Sequence, residues 1–164
     1  MSLADHVLLK RRAATTTEAF RKHYTERHSR LVMPWCLANG VTYYAQLHGP
    51  LAWASPASPK STSDIEIGDW DAVAEMVFPN GKIGGVGMAY YENIILLDER
   101  VFLLRNALDH MKVVEPRSVT GERVEFIIDS KAVVGGWEEW QSLWDEYLAK
   151  GDSCTSDTME PLTR

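Results

Sequence analysis

Two histidines, His23 and His28, stand five residues apart in FRKHYTERHSRLV, the stretch from Phe20 to Val32. Imidazole exchanges a proton near neutral pH, so each is a candidate acid or base. Five is an awkward spacing on an α-helix. With Phe20 at zero and about 100° per residue, Tyr24, His28, Leu31 and Val32 fall in one arc with Phe20, whereas His23 falls at about 300°, beside Arg27 and Arg30. The pattern sends His28 into the apolar stripe and His23 to a flank, so the two are not expected to share a task. The plain alternative for His28 is a core imidazole bonded to a backbone carbonyl.

Further polar candidates sit on extended segments. Alternation in VTYYAQLH places Thr42, Tyr44, Gln46 and His48 on one face and Val41, Tyr43, Ala45 and Leu47 on the other. A polar row through an apolar domain is costly unless its members have partners, so it is either a solvated face or a pocket wall. In DWDAVAEMVF, Trp70, Ala72, Ala74, Met76 and Phe78 alternate with Asp71, Val73, Glu75 and Val77. Asp71 or Glu75 can orient a histidine, or both are ordinary exposed acids. His110, in ALDHMK, lies where a loop approaches a strand. Lys10 and Arg12 end a strand; either can hold a carboxylate or serve as surface charge. No Ser/His/Asp or Cys/His triad assembles, and the histidines lack carboxylates at ligand spacing, so no metal site is expected. Cys36 and Cys154 are too far apart for a disulfide framework, and Cys36 reads as buried rather than nucleophilic.

The elements that must position these residues follow from local pattern. HVLLKRR suits a strand over 5–12. Thr15 followed by Glu18 fits a capping box, and the helix it opens is expected to stop at Pro34. A second strand is expected between Asn39-Gly40 and Gly49-Pro50, then a loop over 51–63 in which Trp53 could form part of a lid. DWDAVAEMVF is a third strand. PNGKIGGVGM has four glycines but no Ser or Thr after its lysine, so it is no nucleotide loop. A helix over 89–108 and a fourth strand over 123–129 follow. In GWEEWQSLWDEYLAK, Trp137, Trp140, Trp144, Tyr147 and Leu148 share one helical stripe, which favours core or dimer-interface docking over ligand contact.

The resulting order is an α+β, ferredoxin-like pattern: a four-stranded antiparallel sheet with helices on one face, plus an extra C-terminal helix. We divide it into a domain over 1–130, the Trp-rich helix over 131–150 and a polar tail over 151–164 expected to be disordered. Because the strands carry apolar residues on both sides, the open face is expected to be covered by a second copy, giving a homodimer. A formal charge of -6 with no basic run argues against nucleic acid. The longest apolar stretch is broken by Asp98, Glu99 and Arg100, so no membrane span is expected. With no signal-peptide pattern and unpaired cysteines, a cytoplasmic location is the expectation.

HVLLKRR followed by TTTEAFRKHYTERHSRLV resembles the opening of EthD-domain proteins, a branch of the dimeric α+β barrel superfamily. Lys10, Arg11, Glu18, Phe20, His23, Tyr24, His28, Leu31 and Val32 occupy the matching positions. DWDAVAEMVF and YYENIILLDERVFL resemble later segments of the same family. The glycine-rich segment departs from the family, where a helix is usual, and the Trp-rich helix is an addition. That combination looks most like fungal members associated with aromatic polyketide pathways. The resemblance implies a cofactor-free lyase, removing carbon dioxide or water from a polycyclic phenolic intermediate. On it, His28 is the expected acid/base, Tyr44 and His48 polarise substrate oxygens, and Asp71 or His110 orients a histidine. Phe20, Tyr24, Trp53, Trp70 and Lys10 are the expected substrate contacts. The alternatives are a cofactor-free anthrone oxygenase and a non-catalytic module binding a hydrophobic aromatic; a haem-binding barrel would need an axial histidine at a pocket mouth.

Overall fold

The structure is a computed structural model describing residues 5–55, 64–79, 86–103 and 111–154. Strand β1 (Asp5–Leu9) leads to helix α1 over residues 17–38. The helix is capped by Thr16, whose hydroxyl accepts the Ala19 amide at 3.1 Å, one position later than the expected box. α1 is α-helical over Thr17–Lys22, π-helical over His23–His28 and α-helical again over Ser29–Ala38. Pro34 does not stop it. Met33, Trp35 and Cys36 around the proline are buried, and that packing outweighs the cost, about 3 kcal/mol, of a proline inside a helix. Asn39 and Gly40 finish the helix rather than begin a strand: their amides donate to the carbonyls of Trp35 and Leu37, and Gly40 takes a φ of 74°.

Strand β2 (Tyr43–Trp53) continues through Gly49-Pro50, so Trp53 belongs to a strand; residues 56–63 of the expected loop lie outside the described set. β3 (Ala72–Val77) begins after Trp70 and Asp71. Helix α2, over residues 88–102, repeats the construction of α1: Met88–Tyr90 α-helical, Tyr91–Ile95 π-helical and Leu96–Phe102 α-helical. Strands β4 (Met111–Val114), β5 (Val119–Ile128) and β6 (Lys131–Ala132) follow, then helix α3 (Glu138–Cys154).

The sheet has six strands, not four, in the order β4-β1-β3-β2-β5-β6, and every pairing is antiparallel. All of RVEFIID but Asp129 lies in β5, beside β2. The strand that completes the β-α-β-β-α-β succession is instead β4, on the far side of β1. β4 is four residues long with only Val114 buried, too little apolar pattern to read as a strand. β6 is two residues, returned by a turn at Asp129 and Ser130, both with positive φ.

Helices α1 and α2 cover one face of the sheet, where Val7, Leu9, Tyr44, Ala74 and Met76 meet Tyr24, Val32, Trp35, Ile95 and Phe102. On the other face Leu8, Leu47, Val73 and Val119 are overlaid by Ile65, Ile67 and Trp70. The chain therefore covers part of this face itself. α3 docks on the helical layer. Trp144 is buried edge-on against Tyr90, with ring centroids 5.2 Å apart, and presses on Gly87, where an added Cβ would lie 2.1 Å from the indole. The tryptophan stripe is thus core packing within the chain. Among the described residues no helix is long and apolar enough to cross a membrane.

Candidate functional site

Between the sheet and the two helices lies a cavity of about 130 Å³, walled by aliphatic and aromatic side chains from β1, β3, α1 and α2. Its lining residues with polar atoms are His28, Tyr24, Tyr44, Tyr91, Trp35 and Glu99. The rings are fixed by their neighbours: Phe102 stacks on Tyr24 and lies 4.9 Å from His28, and Tyr44 stacks on Phe126.

His28 is held by Asp98 of α2, its Nδ1 lying 2.8 Å from Oδ2. His23 reaches the same carboxylate, its Nε2 3.0 Å from both oxygens, and the Arg27 Nε donates to Oδ1 at 3.2 Å. The expectation that His23 stands apart fails for a definite reason. The segment between the two histidines is π-helical, and its i→i+5 hydrogen bonding turns residues five apart toward the same side, which a 100° wheel cannot represent. Burial alone would raise the Asp98 pKa, but the bonds from His23 and His28 outweigh it and hold the carboxyl well below its usual range. An ionised Asp98 accepts the Nδ1–H of His28, which leaves Nε2 as the nitrogen free for proton exchange. Glu99, next in sequence, faces the cavity instead; burial raises its pKa.

A second polar row backs the tyrosines. Gln46 is fully buried; its Nε2 donates to the Tyr24 carbonyl at 2.8 Å and to the Tyr44 hydroxyl at 2.9 Å. Its Oε1 lies 3.1 Å from His48 Nε2, which also meets the Thr25 hydroxyl at 3.1 Å. The Tyr24 carbonyl can only accept, so the amide orientation is set, and Oε1 obliges His48 to carry its proton on Nε2. Burial, aided by Arg21, lowers the His48 pKa to about 4. His48 is therefore a neutral prop for Gln46 and does not line the cavity. Burial pushes the Tyr24 and Tyr44 hydroxyls well above the usual phenol range.

The structure gathers His28, Tyr24 and Tyr44 at the cavity, with Phe20 behind them against Tyr24 and Phe102. It places the other described candidates elsewhere. Asp71 accepts from the Arg11 backbone amide at 2.9 Å and from its Nε at 3.1 Å, and meets no histidine among the described residues. Lys10 lies over the Trp70 ring, 5.7 Å from its centroid, and Trp53 and Trp70 pack on the opposite face of the sheet. His110 lies outside the described residues. Glu75 does meet a histidine, but it is His6, on the opposite face, together with Arg123. Asp98, Glu99 and Gln46 were not among the expected site residues. The signal for Asp98 and Glu99 was an acidic pair inside the apolar IILLDERVFLL, which reads as a break in hydrophobicity until its tertiary partners are known, and Gln46 stood only as one member of the polar row in VTYYAQLH. Among the described residues no three His, Cys, Asp or Glu side chains are grouped to hold a metal ion.

Outside the cavity, α3 meets the arginine that bonds this carboxylate. The Arg27 guanidinium that bonds Asp98 lies over the Trp140 ring, 5.2 Å from its centroid.

Fold and site together define a mixed α+β domain with an antiparallel sheet, whose helices enclose an apolar cavity beside a histidine–aspartate pair. Residues 12–103, more than half of the chain, match the EthD domain, and the protein belongs to the EthD-domain family. No curated protein and no solved structure matches the chain.

Proposed function

We propose that this protein is a cofactor-free lyase, a decarboxylase or dehydratase, that acts on an aromatic polyketide intermediate with His28 as its acid/base. The observation that carries the reading is the 2.8 Å contact of His28 Nδ1 with an ionised, buried Asp98 at the wall of an apolar cavity. With Nδ1–H committed to Asp98, Nε2 takes a proton from the ligand, and Asp98 stabilises the imidazolium that forms. In a decarboxylation that proton is returned to the ring carbon as its bond to the carboxyl carbon breaks and carbon dioxide departs. In a dehydration it is removed next to a carbonyl and given to the leaving hydroxyl. An apolar surround solvates a carboxylate poorly, which favours its loss.

The size of the cavity limits what enters. Cavities of about 150 Å³ hold a single benzene ring, so a polycyclic ligand inserts one ring here and leaves the rest toward the mouth. The fungal polyketide assignment rests on the sequence resemblance, and the apolar, aromatic-lined cavity is compatible with it.

Incubation with polycyclic phenolic acids and mass analysis of the products tests the reading. Loss of the mass of carbon dioxide identifies a decarboxylase and loss of water a dehydratase. Oxygen consumption with a reduced anthrone would replace both with an oxygenase. Unchanged ligands that still bind would make the protein a binding module. The ferredoxin-like barrel reading adds a second copy packed against the open sheet face. Sedimentation at micromolar concentration checks it, and a stable monomer rules it out.

A further inference from the structure

Two of the three phenols that line the cavity, Tyr24 and Tyr44, lie side by side and carry more donor protons than the described residues around them have acceptors for. Tyr24 and Tyr44 each bring one O–H. Gln46 donates to the Tyr44 oxygen and so occupies one of its lone pairs without using its proton. The Tyr24 hydroxyl, fully buried, has no partner among the described residues other than the Tyr44 hydroxyl beside it. Nor does a hydrogen bond join either hydroxyl to Glu99 or to His28 among the described residues. When one phenol donates to the other, one O–H is left over at the cavity wall, with no acceptor in hydrogen-bond reach among the described residues. An orphaned buried donor costs about 1–3 kcal/mol, and a ligand bringing an acceptor recovers that cost on binding.

Resting on the lyase reading above and narrowing it, we propose that the cavity recognises a neutral acceptor oxygen, the carbonyl of an aromatic ketone, held by the Tyr44 hydroxyl with Tyr24 beside it. Gln46 is the positioning residue that keeps Tyr44 in the donating sense. The amide is locked by three contacts: the Tyr24 carbonyl at 2.8 Å, the Tyr44 hydroxyl at 2.9 Å and His48 Nε2 at 3.1 Å. The acidity of the site agrees with a neutral oxygen. Burial raises the pKa values of Tyr24, Tyr44 and Glu99 alike, so the interior disfavours a negative charge such as a phenolate. A carbonyl polarised by Tyr44 also makes the adjacent C–H more acidic, the proton that Nε2 of His28 is free to take.

The experiment uses two probes of one shape: acetophenone, and α-methylstyrene, in which a CH₂ group replaces the carbonyl oxygen. With the intact protein, acetophenone is expected to bind about tenfold or more tightly than the alkene, the worth of one recovered hydrogen bond. Its isotope-edited carbonyl stretch is expected to move to lower wavenumber when bound. Tyr44→Phe should return the stretch most of the way, a change that a merely structural role would not produce. Gln46→Met should leave a weaker and broader shift, because Tyr44 is then free to turn to the vacated Tyr24 carbonyl. An unshifted stretch, equal affinity for both probes, or failure of the ketone to bind overturns the inference. If Gln46→Met does not fold, the probe pair and Tyr44→Phe still decide it. A shifted carbonyl without any product from phenolic acids would sink the lyase reading alone, and product formation without a shift would sink this one alone.

Discussion

His23 and His28 meet at Asp98, although five residues separate them: one places Nε2 3.0 Å from the carboxylate oxygens, the other Nδ1 2.8 Å from Oδ2. Only His28 also borders the cavity. Replacing Asp98 by Asn keeps the shape but offers His28 an amide in place of a full charge. Under the proposed function, Asp98→Asn and His28→Ala should each lower kcat by about 10²–10⁴-fold with little change in KM. His23→Asn, which retains a donor to Asp98, should lose far less. Equal losses at both histidines would mean that the carboxylate, rather than its partner at the cavity, sets the rate.

His48 makes stability depend on pH. Its folded pKa is lowered from 6.5 to about 4, so the folded protein holds it neutral while the unfolded chain protonates it more readily. The stability it contributes is complete above about pH 6.5 and is lost as pH falls toward 4, up to roughly 3 kcal/mol. His48→Gln should flatten the urea-unfolding free energy across that window. A variant with the parent's slope would show that His48 takes up its proton alike in the folded and unfolded states.

Glu75 lies beneath the opposite sheet face, bonded by His6 and Arg123. Burial would raise its pKa, but the two partners prevail and hold it low, so its contribution is present above the ordinary carboxylate range and lost as pH falls below it. Glu75→Ala should destabilise by about 3 kcal/mol, because a buried imidazole and a half-buried guanidinium lose their acceptor. A double-mutant cycle with Arg123→Ala measures the coupling; a coupling near zero would assign the loss to His6.

Gly87 has a φ of 81° and no room for a Cβ beside Trp144. Gly87→Ala should cost at least about 2 kcal/mol through strain and displacement of the indole, read as a lower Tm. Combining it with Trp144→Leu should recover part of the loss, and strictly additive losses would place the whole effect in the backbone.

What could be read from the sequence follows the regular periodicities. Alternation in β2 and β3 correctly separated Tyr44, Gln46 and His48 from Tyr43, Ala45 and Leu47, since a two-residue period holds wherever a strand is straight. The 100° wheel put His28 on the buried side and misplaced His23, because the helix departs from α-geometry between them. Asp71 and Asp98 exchanged roles for a similar reason. An orienting carboxylate is defined by a tertiary distance, and Asp98 lies 70 residues from the histidine it serves. β4 and β6 were hidden by their brevity.

The stacking of Arg27 on Trp140 gives the terminal helix a meaning beyond bulk packing. The family match ends at residue 103, yet the arginine that steadies Asp98 leans on a ring 37 positions later. A chain trimmed to the matched region would keep His28 and both tyrosines and lose the backstop behind their carboxylate. The matched domain and the packing around its buried carboxylate do not share a boundary in this protein.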